Sequence, residues 1–280
     1  MFKFKLIILI ILFSLTCGKL FSQDSPQTKF SSKDTSYNFP ANKKIFNMLK
    51  PGKAPMVTIQ LSFAYNIGHM DLAADDNTRF RKEDFELGRN FGTRYGFGAS
   101  LLGKIRLHKE GYVRLNVGTS YNRFLSNFVI SESPEGKVAY NVFSASLGVE
   151  NNFSPQKKIK PYVGLDILTN FISGSAVLAT DSTDFNLDIR SSFRVGLSLN
   201  LGFEYAFNDK VGFNLGYRLT HANLIGRQNK TSNSPTETYL NDDKIKSNDP
   251  NPIAYSGWKQ FLYSQFYTGI NFYFGMKNKR

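Results

Sequence analysis

The chain of 280 residues has a single cysteine, Cys17, and it falls in an amino-terminal stretch laid out like a removable leader. "MFKFKLIILIILFSLTCGKLFSQ" sets Lys3 and Lys5 before an apolar run from Leu6 to Phe13, then small and polar residues, the plan of a secretory signal peptide. With cleavage expected at Ser22/Gln23, the mature protein has no thiol. Disulfides, cysteine nucleophiles and thiolate metal sites are then excluded together. A lipid-modified Cys17 is the alternative, but the preceding "SLT" is a poor fit to the Leu-small-small pattern such sites resemble.

Long hydrophobic runs are missing too. No window beyond the leader approaches about eighteen consecutive apolar residues, which excludes a helical membrane protein. Histidine is limited to His69, His108 and His221, with no cluster of His and carboxylates, so neither a metal nor a cofactor is expected. "GFGASL" (96–101) is glycine-rich but lies in an alternating strand with no helix after it, so it is not a phosphate-cradling loop. "THAN" (220–223) offers a His without a Ser on the same strand, and no enzyme is expected.

What the chain has is alternation. In "FRVGLSLNLGFEYAF" (193–207) every odd position is Phe, Val, Leu or Tyr, and every even one is Arg, Gly, Ser, Asn, Glu or Ala. The same period of two marks 57–67, 93–107, 112–122, a segment ending at 143–153, 162–171, 211–220 and 264–274, which makes eight predicted strands. Connections alternate long and short: 68–92 long, "HKEG" (108–111) short, 123–137 long, "SPQKK" (154–158) short, 174–188 long, "NDK" (208–210) short, 222–258 longest.

A soluble sandwich or lipocalin-like barrel would turn the apolar residues inward. A membrane barrel turns them outward to lipid and keeps its polar face inside. Here the polar faces are crowded with Gly and Ser as well as Arg, which suits a narrow packed lumen. Each segment also reaches the nine to eleven residues or so that cross a bilayer as tilted strand. The fold expected is therefore all-β, an eight-stranded antiparallel up-and-down transmembrane β-barrel. Its expected divisions are a signal peptide 1–22, a basic periplasmic arm 23–55, the barrel 56–275 and a periplasmic tail 276–280.

The eight segments, the alternating connections and the leader resemble the small bacterial outer-membrane barrels of the OmpA/OmpX type. Phrases such as "KPYVGLDILTNF" and "YGFGASLLGKIRL" also look like PorT-like barrels. The resemblance implies an outer-membrane location, lipopolysaccharide and outer-membrane lipid as surroundings, and the barrel-assembly machinery as a partner during biogenesis. "YTGINFYF" (267–274) looks like the carboxy-terminal signal read by that machinery, carried by Tyr267, Gly269, Phe272 and Phe274. The chain departs from the pattern by continuing to Arg280.

The formal charge of +13 divides between the arm, the short turns, among them Lys157, Lys158 and Lys160, and the polar phase of the strands. That phase places Arg94, Lys104, Arg106, Arg114, Arg190, Arg194 and Arg218 in the lumen with Glu150, Asp166 and Glu204. Two readings follow: a lumen filled by ion pairs, or a small anion-preferring channel. A cation distribution spread over arm, turns and lumen does not suit nucleic acid. The role expected is structural or surface-interaction, with a periplasmic or surface protein as possible partner, and an outer-leaflet lipid-modifying enzyme as a remoter alternative.

Overall fold

A computed structural model describes residues 54–73, 90–128, 136–179, 184–227, 232–240, 242–243 and 258–275. The leader, Cys17, the arm up to residue 53, the acidic residues 74–86 and the tail 276–280 lie outside them.

The barrel strands are β1 (Val57–His69), β2 (Tyr95–Arg106), β3 (Val113–Phe128), β4 (Gly136–Asn152), β5 (Ile159–Ala179), β6 (Asp184–Ala206), β7 (Val211–Ile225) and β9 (Leu262–Phe274). Each pairs antiparallel with its neighbour in sequence, and β9 pairs back onto β1, so the eight-stranded sheet closes with no free edge. Between β7 and β9 lies a three-residue strand, β8 (Glu237–Tyr239), which runs parallel to the outer part of β6. Periodicity gave no sign of it, because three residues do not establish a period.

The register fixes the cylinder's geometry. Starting at Val57 and stepping through paired residues leads to Ile105, Leu115, Val149, Leu165, Leu199, Leu219, Ser264 and back to β1 at Ile67, ten residues on. Eight strands with that stagger tilt by about 40° and leave a Cα radius of about 8 Å, which inward side chains fill.

Alternation assigns the faces as the sequence predicts. Phe193, Leu199, Leu201, Phe203 and Phe207 lie exposed on the outer surface, while Arg194, Ser198, Asn200 and Glu204 are buried inside. The outward apolar band ends in aromatics at both rims. Tyr112, Phe153, Phe207 and Phe274 mark the end carrying the short turns, and Tyr95, Phe97, Tyr121, Phe143, Phe171 and Phe193 the opposite end. The next outward positions are Arg123, Asn141, Ser173 and Ser191, where the surface becomes polar.

Two predicted long connections are shorter than expected. β5 continues as strand to Ala179 and β6 resumes at Asp184, so the predicted 174–188 connection is mostly hairpin; β3 and β4 likewise extend to Phe128 and from Gly136. The sequence misleads here because alternation changes its sense beyond the aromatic rim. Ile172, Ala176, Val138, Val142 and Phe124 point inward, and polar residues point out.

Candidate functional site

The inside of the cylinder is layered. In the half nearer the short turns, β2 and β3 contribute Lys104 and Arg114, and β4 and β6 contribute Glu150 and Glu204, all at most 3 % exposed. The Lys104 ammonium lies 2.9 Å from both carboxylates. The Arg114 guanidinium donates through Nε to Glu150 at 2.9 Å and through Nη2 to Glu204 at 2.7 Å, and Nη2 also bonds Glu150. Two cations and two carboxylates thus neutralise one another. Glycine leaves space for the next inward carboxylate: a Cβ at Gly148 would meet Asp166 and the Leu165 carbonyl at 2.0 and 2.3 Å.

Above the charges comes a belt of amides and hydroxyls. Asp166 accepts from Asn200 at 2.6 Å and Asn116 at 3.3 Å, and Arg218 donates to Asn200 while standing 5.1 Å over the Tyr267 ring. Gln265 bonds Asn66 and Asn122, and Ser144 bonds Asn170. These amides occupy the polar phase of their strands, where alternation places them.

The outermost layer is an apolar core. Inward Phe124, Val138, Tyr140, Val142, Ile172, Ala222 and Tyr263 pack with Leu72, Phe91, Leu240 and Phe261, which the connections fold into the mouth. Ring pairs such as Phe124 with Tyr263, centroids 4.9 Å apart, and Phe91 with Phe261 at 5.2 Å knit it together. A polar latch holds the connection between β7 and β9 in place. Asp242 receives Nε and Nη2 of Arg194 at 2.8 and 2.7 Å and Asn223 at 2.7 Å, while the Phe261 amide donates to Asn223 at 2.7 Å. Lys259, beside the Phe91 ring at 5.5 Å, is buried, and that burial pushes its amine down to about 8, opposed by Asp242 and Asp71.

Of the residues assigned to the lumen by phase, Lys104, Arg114, Glu150, Asp166, Arg194, Glu204 and Arg218 point inside, in the layers described. Arg106 is half-buried at the turn end, donating to the Ala54 carbonyl at 3.0 Å. Arg190 is a correction: its side chain is 50 % exposed and pairs with Glu237 outside the lumen. A register shift causes this, because Ile172 pairs with Ser192 but Gly174 with Ile189, so Ser173 faces both Arg190 and Ser191 and the phase flips. Arg94 is the second, lying half-buried ahead of β2 with its guanidinium 5.7 Å over the outward-facing Tyr95 ring. Lys160 is the third; it belongs to β5, not to a turn, and is buried in the lumen.

On β9, Tyr267 is buried with its hydroxyl 2.7 Å from that of Tyr162, Gly269 packs against the Leu61 carbonyl, and Phe272 and Phe274 face outward. Of the histidines, His69 Nε2 lies 2.7 Å from the Ser264 hydroxyl, a pair that adjacent strands create and that spacing along the chain conceals. Ser264 is 2 % exposed, so its hydroxyl is not presented to an acyl chain.

A closed cylinder with a polar interior at the level of an outward apolar band, and aromatic rims on that band, defines a transmembrane β-barrel. The model of the outer membrane protein β-barrel domain family matches residues 65–249, and the chain belongs to that family. Membership implies an outer-membrane location. No curated protein matches the chain. Similar solved structures include Neisserial surface protein A (15 % identity, TM-score 0.43, covering 79 % of this chain and 99 % of that one). Others are the attachment invasion locus protein Ail of Yersinia pestis (12 %, 0.36, 80 % and 99 %) and the N-terminal β-barrel domain of Pseudomonas aeruginosa OprF (9 %, 0.31, 77 % and 97 %).

Proposed function

We propose that this outer-membrane barrel has a structural or surface-interaction role and does not conduct. The supporting observation is the double seal of its interior: a self-neutralised charge cluster at one level and a connection-capped apolar core at another. The cation excess behind an anion channel is reduced even though Lys160 enters the lumen, since Arg190 and Arg94 leave it, Asp242 pairs with Arg194 and the cluster pairs two cations with two acids.

The outward activity falls to the polar end. β5 and β6, at 21 and 23 residues, carry their hairpin beyond the aromatic rim by roughly 25 Å along the strand. β8 and the Arg190–Glu237 pair brace it. This hairpin is the surface we assign to a protein partner. Arg123, exposed just beyond Tyr121, suits the phosphates of lipopolysaccharide. During biogenesis β9 is the segment offered to the barrel-assembly machinery.

Planar-bilayer recordings test the sealed lumen: no discrete openings are expected, and a reproducible unitary conductance overturns it. Crosslinking from residues 186 and 188 in intact cells, read by mass spectrometry, tests the hairpin. A recurrent protein adduct is expected, and adducts to lipid alone refute the partner assignment.

A further inference from the structure

Lys104 and Lys160 both point into the lower lumen, both are 1 % exposed, and both lie against a tyrosine ring, Tyr162 at 4.2 Å and Tyr273 at 4.9 Å. Lys104 is saturated by two carboxylates. Lys160 Nζ has no hydrogen-bond partner among the described residues. An ammonium buried against a ring face is costly even with the attraction of Glu204 beside it, because three N–H donors have left water without acceptors.

Its surroundings share the condition. The register places Lys160 beside Glu204, Asn152 beside Tyr162, and Thr58 beside Tyr273. With the tilt of the strands, Thr58, Asn152, Lys160 and Tyr273 come to one level of the cylinder, its periplasmic floor. Among the described residues, Asn152 Nδ2 and Thr58 Oγ1 are, like Lys160 Nζ, buried and unpartnered, while the Tyr273 hydroxyl is turned to Asn271 and Glu204. Glu150 and Glu204 are already matched by Lys104 and Arg114, so among the described residues Lys160 is a fully buried surplus charge, and the half-buried Arg106, donating to the Ala54 carbonyl, adds to the positive field.

We propose that the periplasmic floor of the barrel is a binding site for one small inorganic anion of the halide class, held by the Lys160 ammonium with N–H and O–H donors from Asn152 and Thr58. The one fully buried surplus charge matches a monovalent ion, and the burial of Lys160, Asn152 and Thr58 matches a small, weakly hydrated one.

Urea unfolding of the folded barrel in detergent, at constant ionic strength with chloride exchanged for gluconate, reads the site directly. Above saturation, each tenfold rise in chloride should raise the folding equilibrium constant about tenfold, and Lys160→Met should abolish that dependence. An equal chloride dependence in wild type and variant, or none in wild type, overturns the proposal. Should Lys160→Met not fold, bromide-soaked crystals of the wild type decide. An anomalous peak beside Lys160 Nζ is expected, and water alone at that position refutes the site.

Discussion

Replacing Glu204 by glutamine keeps the shape of the side chain and removes one negative charge from the four-residue cluster. Glu204 accepts from Lys104 Nζ at 2.9 Å and from Arg114 Nη2 and Nη1 at 2.7 and 3.3 Å. Each contact at such range carries a gross attraction of about 5 kcal/mol at an effective dielectric near 20, most of it offset by the dehydration of both ions. What remains after the substitution is two buried cations facing Glu150 alone. Breaking a buried pair in this way costs about 3–5 kcal/mol, because the orphaned charge stays buried. The double variant Glu204→Gln, Lys104→Met restores one cation to one carboxylate and should recover about half the loss. Urea unfolding in detergent or lipid vesicles, followed by the heat-modifiable mobility of the folded barrel on gels, measures both. A loss below about 1 kcal/mol for the single variant would mean that water reaches the cluster, and the sealed lumen would have to be abandoned.

Leu199→Arg puts a charge on the lipid face near mid-height and should lower insertion free energy by about 2–4 kcal/mol. Asn200→Ser should cost about 1–2 kcal/mol, since it removes the bonds to Asp166 and Arg218 without touching lipid; equal effects in vesicle refolding would mean the faces are inverted. Gly269→Ala places a Cβ 2.0 Å from the Leu61 carbonyl on the seam where β9 closes onto β1, and should abolish the heat-modifiable gel shift, which an unaltered shift would contradict. Asp242→Ala releases Arg194 and Asn223, so hydrogen exchange at the Leu240 and Phe261 amides should accelerate at least tenfold while strand amides in the lipid band stay protected. Lys259 gives a pH dependence: its folded amine titrates at about 8 and its unfolded one at 10.5, so the unfolded chain holds more protons between those values. Stability should therefore rise from about pH 8 towards 10.5, with the burial penalty fully present below 8, and Lys259→Met should flatten this component of urea midpoints measured against pH.

Much of the interior could be seen in the chain because a strand's period of two survives any tertiary arrangement. Lys104, Arg114, Glu150 and Glu204 lie on the polar phase of four different segments, and phase alone puts them inside. Phase could not say that they would meet as one neutral group, since that depends on the ten-residue stagger carried around the cylinder. Arg190 shows the limit: a single bulged position reverses inside and outside, and nothing in "LDIRSSF" marks where the extra residue falls. Lys160 shows another, since a residue counted with a turn is strand once β5 begins at Ile159.

The sequence by itself determined the class of fold, the number of barrel strands and the face that meets lipid. Alternation is local chemistry, and unpaired backbone in lipid leaves a closed cylinder as the strand solution. Only the tertiary structure decided how the cylinder is filled. Asp242, Leu240, Phe261 and Phe91 come from connections with no period, and they reach the mouth because inward Phe124, Tyr140 and Ile172 offer apolar surface there. The same closure brings Lys160 under Tyr273 from across the barrel, a meeting that depends on the radius and stagger of the whole sheet.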